Sequence, residues 1–441
     1  MLLAGPLSGL RVIEIGHYIP APYAAMLLSD LGAAVTKIER PGGAPDRDDP
    51  GYQLFNRGKS VRRIDLKSPA GRIEARALVR EADVLIENLR PGALDRLGLG
   101  ADELRAADPR LIYASITPYG RRRWAAGVGP GAKSGRDLVD ETGWDSLVAA
   151  RAGIPEDQGV GRPVWVTLPA ASYASALLTV YAVLGALHRR HETGRGDHVD
   201  MSLYAAALGF QAHGLVAGPG FSRLPNTSPQ GSNPLYRLYR CADDRWIFVA
   251  CGNPGFVLKL GFAIGADDLL TRPEYAGCPW GIAPEHQATV FEHLSATFAT
   301  RAQADWLRIL DEADVPCAPV QTALDYFRDP QARHNGAIVD IDHPVLGPTQ
   351  QMGALISFRL PPDSSSPSPT PVRSERAFLQ PAPQTSRLIN PVEGDKSDLD
   401  PPSPRRSAGK SGPRGGGARS VPDTRNAASS ALAGLRVLDL S

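Results

Sequence analysis

Between Trp165 and Leu187 the chain carries no charged side chain, and this single stretch limits what the molecule can fold into. It lies in the segment PVWVTLPAASYASALLTVYAVLGALHRRHETGRGDHVDMSL, Pro163 to Leu203. The segment reads as a short β-type run from Val164 to Leu168, then Pro169, then a long helix ending in the basic cluster His188, Arg189, Arg190 and His191. After the turn Thr193-Gly194-Arg195-Gly196, a second short strand (His198, Val199) leads into another helix near Met201. A helix that is apolar on every side belongs in a large core or in a membrane. About 20 apolar residues would span a bilayer, but this helix is rich in Ala, Ser and Tyr, stands alone in a polar chain and is flanked by strand-like runs. It is expected to be the core helix of a soluble protein.

The 441 residues suffice for two or three domains and a sizeable core. The 48 basic and 47 acidic residues leave a net charge of +1, which gives no reason to expect nucleic acid or an anionic membrane surface as partner. Cys241, Cys251, Cys278 and Cys317 form no CxxC pair and no metal-ligand spacing, so they read as small, reduced residues and no metal site is expected. The start, MLLAGPLSGL, has no basic n-region and too short an apolar run for a signal peptide. The expected location is cytoplasmic.

Taken in order, Leu10–Ile15 is a compact strand, and His17-Tyr18-Ile19-Pro20 turns into a helix over Ala24–Leu31 that Gly32 ends. A strand at Ala34–Glu39 closes a βαβ unit of about thirty residues, as a parallel sheet requires. Its first turn lacks the GxGxxG dinucleotide fingerprint. A third strand is expected around Arg63–Leu66, a helix from Ser68-Pro69-Ala70 to Arg80, a fourth strand at Asp83–Glu87 and a fifth at Leu111–Ile116. This alternation means an open α/β sheet, whose ligands bind outside the carboxyl ends of the strands; Arg40, Asn88 and Tyr119 collect there. From about Tyr236 the texture changes. A hairpin (Leu235–Cys241 and Trp246–Cys251) and helices around Phe256–Ile264, Ala288–Phe298 and Ala302–Ala313 predict a smaller α+β domain, after which strands at Pro316–Val320 and Ile338–Ile341 return to the first domain.

Beyond Leu360, Pro, Ser, Gly and charge dominate for roughly seventy residues, a composition that cannot bury enough apolar surface to offset its ordering entropy. The last ten residues, LAGLRVLDLS (Leu432–Ser441), repeat LSGLRVIEIG (Leu7–Gly16). The chain therefore reads as one full module, a linker and the opening strand of a second module.

The blocks LSGLRVIEIG, DLGAAVTKIERPGG, NRGKS, IDLKSPAGR, ADVLIENLRPGALDRLGLG, NPLYRLYRCADD and ADWLRILDEADVPCAPV, in that order, resemble family III CoA-transferases over Leu7 to about Leu360. That group includes formyl-CoA transferase, carnitine CoA-transferase and the α-methylacyl-CoA racemases. The resemblance implies a Rossmann-like large domain with an open parallel sheet plus a smaller α+β domain, in a homodimer of interlocked subunits or its intramolecular equivalent with a second module. On this basis residues 1–210 form the first part of the large α/β CoA-binding domain, 211–315 the small domain and 316–360 the return segment. Residues 361–431 are the disordered linker, and 432–441 the first strand of the truncated second module. The implied ligand is coenzyme A or an acyl-CoA, exchanged with a small carboxylic acid. Arg40, Ile64, Lys67, Asn88 and Arg96 match the family's CoA-contacting positions. Guanidinium forks suit phosphate oxygens, and a lysine supplies a compact charge.

At the nucleophile position the chain departs from the family. The family keeps an aspartate in a pattern like PVADxxxGxxxxxGxLAAL ahead of GRG; the ungapped match here is PAASYASALLTVYAVLGAL, which puts Ser172 in the aspartate's place. No Asp or Glu occurs from Gln158 to His191. In the family that carboxylate forms a mixed anhydride and then an aspartyl thioester with CoA. A serine hydroxyl can accept an acyl group but offers no carbonyl to carry CoA. Asp200, in HVDMS, reads as a helix N-cap rather than a substitute. The racemase branch uses a His in a GHD-like triplet, and here the triplet is Gly143-Trp144-Asp145. The preceding segment, Arg121–Thr142, is about a dozen residues longer than usual and reads as a surface insertion. His17 lies near the expected pocket and reads as structural. Four readings stand: a CoA-transferase whose module is weak or inactive alone, a serine-dependent acyl-CoA hydrolase using Ser172, a non-catalytic CoA-binding module or scaffold, and an acyl-CoA racemase.

Overall fold

A computed structural model describes residues 5–121, 138–216, 218–219, 228–275, 277–343, 346–356 and 358. The expected linker (361–431), the repeated strand (432–441) and most of the Arg121–Thr142 insertion lie outside these residues. The first half alternates strand and helix: β1 (Arg11–Ile15), α1 (Pro20–Asp30), β2 (Ala34–Glu39), α2 (Pro50–Phe55), β3 (Ser60–Arg63), α3 (Pro69–Arg80), β4 (Val84–Glu87), α4 (Ala101–Ala107) and β5 (Ile112–Thr117). There follow α5 (Asp145–Arg151), α6 (Ile154–Gln158), α7 (Ala170–Thr193), β6 (His198–Ser202) and α8 (Leu203–Phe210). The six strands form one sheet in the order β3-β2-β1-β4-β5-β6, every neighbouring pair parallel. The strand order reverses between β1 and β4. In an open sheet of this kind, ligands enter at that point beyond the carboxyl ends.

Alternation along the strands builds a core on each face. Val12, Ile86 and Ala114 pack under α1, α5, α7 and α8, whereas Ile13, Leu85 and Tyr113 pack under α3 and α4. Proline opens both α1 and α3, where its missing N–H costs nothing. The Ser68 hydroxyl caps α3 by accepting from the amide of Gly71 at 3.0 Å. A Cβ on Gly71 would come within 2.0 Å of the Asp65 carbonyl oxygen, so only glycine fits there.

The long helix α7 packs against α1, α5, α8, β5 and β6. It is long and apolar enough to cross a bilayer, yet half of its most apolar stretch is buried within the protein. Its burial is one-sided. Ala176, Val180 and Val183 face the core, while Leu177, Tyr181 and Leu184 are 44%, 64% and 38% exposed. The expectation of an all-round core helix is thus corrected to a helix with one open apolar face. The run before it, Val164–Leu168, is irregular backbone and joins none of the described sheets; its Val164 amide bonds the Pro155 carbonyl at 3.0 Å instead. The third strand also falls earlier than expected, at Ser60–Arg63, with Ile64 bonded just past its end to the Glu39 carbonyl.

A second core surrounds a three-stranded antiparallel sheet, β7 (Tyr236–Arg240), β8 (Trp246–Ala250) and β9 (Cys317–Pro319), in that order. Around it lie α9 (Pro254–Ile264), α10 (Asp267–Leu270), α11 (Pro284–Phe298) and α12 (Gln303–Glu312). The segment expected to return at Pro316–Val320 instead completes this small sheet as β9. Helices α13 (Ala323–Arg328) and α14 (Pro330–His334) precede a separate hairpin of β10 (Ile338–His343) and β11 (Gly347–Met352). At the hairpin's end the chain meets the large sheet's side, where the Arg57 guanidinium bonds the carbonyls of Met352 and Gly353.

Candidate active site

The carboxyl edge of the large sheet gathers most of the residues singled out from sequence. Arg40 follows β2, Ile64 and Lys67 follow β3, and Asn88 and Arg96 follow β4. Arg40 is exposed, with its Nε donating to the Gly43 carbonyl at 2.7 Å. Lys67 and Arg96 are exposed, and the described residues show no ion pair for either. Ile64 is 3% exposed and packs in the core under α3, so its side chain shapes the edge from beneath. Exposed cations above a buried apolar floor suit an anionic ligand with an apolar portion.

At the strand-order reversal, Asn88 reaches across to the loop after β1. Its Oδ1 accepts from the amide of His17 and its Nδ2 donates to the His17 carbonyl, both at 3.0 Å. The next residue, Tyr18, has a left-handed backbone (φ 61°), and its amide donates to Asp46 Oδ2 at 2.7 Å. Non-glycine residues hold that conformation only where the surroundings over-determine it. Here the turn carries the half-exposed Tyr18 ring onto Trp144, edge to face at 5.1 Å between centroids. The His17 imidazole is held below its ordinary pKa by burial and then by the Lys37 charge, and its Nδ1 is buried without a hydrogen-bond partner among the described residues.

Trp144 leads to the feature that sequence reasoning missed. Helix α7 begins after Pro169 with no side-chain cap of its own. Asp145, 27 residues earlier, supplies one: its Oδ2 accepts from the backbone amide of Ser172 at 2.6 Å. Ser172 is 5% exposed. No base is hydrogen-bonded to its hydroxyl among the described residues. Tyr173 beside it packs edge-on to Tyr23 at 5.4 Å, and burial, followed by the nearby Asp145 carboxylate, raises its phenol pKa. Asp145 stands in the triplet read from sequence as lacking the racemase histidine, and the signal overlooked was that α7 opens on Pro169, which has no side-chain acceptor to cap the helix.

Asp200 corrects another expectation. It is an exposed residue within β6, which continues to Ser202, and the Ser202 hydroxyl caps α8 by accepting from the amide of Ala205 at 3.0 Å. Tyr119 lies past β5, its ring 6.2 Å from that of Tyr204.

Beneath the edge lies a buried charge network. Glu14 accepts from Lys37 Nζ at 2.7 Å and from Lys59 Nζ at 3.0 Å, and all three side chains are at most 1% exposed. Lys37 also bonds the Gly16 carbonyl, and Lys59 bonds Asn56 Oδ1 and the Pro22 carbonyl. Burial pulls the Lys59 ammonium down to about 8, against the attraction of Glu14. On the sheet's other face the Glu87 carboxyl is pushed up to about 7 by burial, with the Leu89 amide at 2.8 Å and the Ser115 hydroxyl as partners. Ser115 in turn meets His198 Nε2 at 3.1 Å. No cluster of three or more metal-binding side chains occurs among the described residues.

A doubly wound parallel sheet with an asparagine clamp at its reversal point, and exposed cations past β2, β3 and β4, places the chain among the open-sheet α/β proteins whose ligands bind beyond the carboxyl ends of the strands. The description "CoA-transferase family III" matches residues 7–373, and the chain belongs to that family. It is similar to the succinyl-CoA:glutarate CoA-transferase of Mus musculus, with 28% identity over 376 residues that cover 80% of each chain. It is also 30% identical over 351 residues to the acetyl-CoA:oxalate CoA-transferase of Acetobacter aceti, covering 76% of this chain and 86% of that one. Among solved structures, a CAIB/BAIF family protein from Brucella suis superposes with a TM-score of 0.65 at 30% identity, covering 77% of this chain and 90% of that chain. In the triplet Gly143-Trp144-Asp145, the Trp144 ring packs edge to face against Tyr18.

Proposed function

We propose that the chain moves coenzyme A between an acyl-CoA and a small carboxylic acid, with CoA lying along the carboxyl edge past β2, β3 and β4. One observation carries this reading: Arg40, Lys67, Asn88 and Arg96, from the connections after β2, β3 and β4, share that edge of a single parallel sheet. The exposed guanidinium and ammonium groups take the phosphates, Ile64 supports them from the core, and the Asn88 clamp fixes the β1 loop beside the thioester end. The relatives' acceptors are small carboxylates such as oxalate and glutarate, which makes a carboxylic acid the expected second substrate. Ser172 occupies the family's nucleophile position. Its hydroxyl cannot form the thioester that holds CoA between half-reactions, so position 172 alone leaves the module weak or inactive. The absence of a bonded base among the described residues argues against a serine hydrolase. A second copy of the chain, or a second module, is the proposed cover for the open face of α7.

Purified protein incubated with succinyl-CoA or acetyl-CoA and oxalate, glutarate or succinate, with the acyl-CoA pool resolved by chromatography, tests the reading. Acceptor-dependent formation of a new acyl-CoA supports it. Binding without exchange points to the scaffold, acceptor-independent loss of thioester to the hydrolase, and no measurable affinity for CoA overturns CoA handling altogether. Replacing Ser172 with Asp is expected to raise exchange at least about tenfold.

A further inference from the structure

We propose that Asp145 supplies the carboxylate that carries CoA in this chain, working beside Ser172 at the first turn of α7. The inference rests on the CoA-transfer reading and names the group that performs it. Three observations converge on this residue. Its Oδ2 is fixed by the Ser172 amide at 2.6 Å, so the carboxylate sits against the very residue that replaces the family nucleophile. Among the described residues its other oxygen has no hydrogen-bond partner, which leaves it for a substrate. The neighbouring Trp144 ring packs on Tyr18, whose amide neighbour His17 is clamped by Asn88, so a continuous line of contacts joins Asp145 to the proposed CoA edge. Asp145 is half-buried at the start of α5 with α7 at its back, an arrangement that holds the group in one orientation.

The chemistry balances with this residue alone. A carboxylate oxygen of Asp145 attacks the acyl-CoA carbonyl; the C–S bond breaks, CoA leaves as thiolate, and an acyl-aspartyl anhydride forms. The thiolate then attacks the aspartyl carbonyl of the anhydride, giving an aspartyl-CoA thioester and releasing the donor's carboxylate. The acceptor carboxylate attacks that thioester and forms a second anhydride with release of thiolate. Thiolate attack on the acceptor's acyl carbonyl gives the new acyl-CoA and regenerates the Asp145 carboxylate. No proton or electron is left over. The amide of Ser172, already bonded to one oxygen, follows the charge that develops on the aspartyl carbonyl in the second and third steps, where the tetrahedral centre forms on that carbon.

The test is a covalent trap. The full chain is incubated with succinyl-CoA alone, quenched in acid, digested and analysed by mass spectrometry, in parallel with calorimetric titration of free CoA and the exchange assay. A CoA thioester on the peptide bearing Asp145 is expected. Asp145→Asn keeps an oxygen acceptor for the Ser172 amide, hence the cap, and is expected to lose the adduct and at least about a thousandfold in exchange, with CoA affinity within about threefold of the parent. Retained exchange in this variant, an acyl ester on Ser172, or a CoA-binding protein with no adduct at residue 145 would each overturn the assignment while leaving CoA binding intact. Failure to bind CoA at all strikes instead at the underlying reading, so the two are separable.

Discussion

Asn88 grips both the amide and the carbonyl of His17, accepting from one and donating to the other at 3.0 Å, and thereby stitches the carboxyl end of β4 to that of β1 at the strand-order reversal. An asparagine side chain here acts as an extra peptide unit, prolonging the parallel pairing past the last strand residues. The fit leaves no room beside it: a Cβ on Gly16 would come within 2.5 Å of Asn88 Oδ1 and 2.6 Å of the Ala21 side chain.

Removing the clamp has a calculable effect. Asn88→Ala strands two backbone groups at a half-buried site, for a loss of about 1–3 kcal/mol in unfolding free energy by urea titration. The Tyr18 turn loses its anchor as well. CoA affinity is expected to fall about tenfold or more, whereas Asn88→Asp, which keeps only the acceptor, falls between. Wild-type affinity in Asn88→Ala would remove Asn88 from the proposed CoA site.

The Glu14–Lys37–Lys59 network predicts an asymmetry. Glu14→Gln leaves two buried ammonium groups without their counter-charge and is expected to cost about 3–5 kcal/mol. Replacing all three residues with Leu, Met and Met removes the charges together and is expected to cost less than the single substitution. Chemical denaturation of the two variants decides this, and a triple variant weaker than Glu14→Gln contradicts the account.

Glu87 predicts a pH dependence with a definite sign. Its folded pKa, about 7, lies above the ordinary carboxylate value, so between about 4.5 and 7 the folded state binds more protons than the unfolded state. The stabilisation tied to the neutral acid is present below the unfolded pKa and is lost as pH rises through 7. A shift of this size corresponds to roughly 3 kcal/mol at most. Melting temperatures taken from pH 5 to 8 should fall in the parent through this group, and Glu87→Gln should flatten the profile. An unchanged slope in the variant would place the dependence on another group.

Much of the large sheet was legible in the residues because βαβ spacing and Pro-led helices are local signals. Strands β1, β2, β4 and β5 and helix α3 stand within a residue or two of their expected places. The misreadings arose where partners are distant in sequence. Val164–Leu168 is as apolar as a strand, but nothing in its own residues reveals that its Val164 amide bonds the Pro155 carbonyl and that it joins no described sheet. Pro316–Val320 reads as a strand correctly, yet its partner β8 was a choice of topology that periodicity does not encode. The same limit hid Asp145. Its tie to Ser172 spans 27 residues, and the sequence shows only an acid at the start of a short helix. The Glu14 network was hidden likewise, because a Lys in a strand reads as surface until two more groups arrive from α2's end and the neighbouring strand.

The open face of α7 yields the last prediction. Leu177, Tyr181 and Leu184 recur at helical spacing, so they form one stripe, turned about 100° around the helix from Ala176, Val180 and Val183. Just ahead of the helix, Trp165 and Leu168 are 76% and 63% exposed, which extends the apolar surface beyond a single stripe. Exposed apolar area of this extent marks a surface that a partner covers. With a second copy as the proposed partner, Tyr181→Glu places a charge in the middle of the contact and leaves the monomer's own core untouched. Light scattering behind size-exclusion chromatography is expected to show dimer for the parent. For the variant it should show a dissociation constant raised by about a hundredfold, with an unchanged far-ultraviolet circular dichroism spectrum. A monomeric parent, or a variant that dimerises as tightly as the parent, would show that something other than a second copy covers this face.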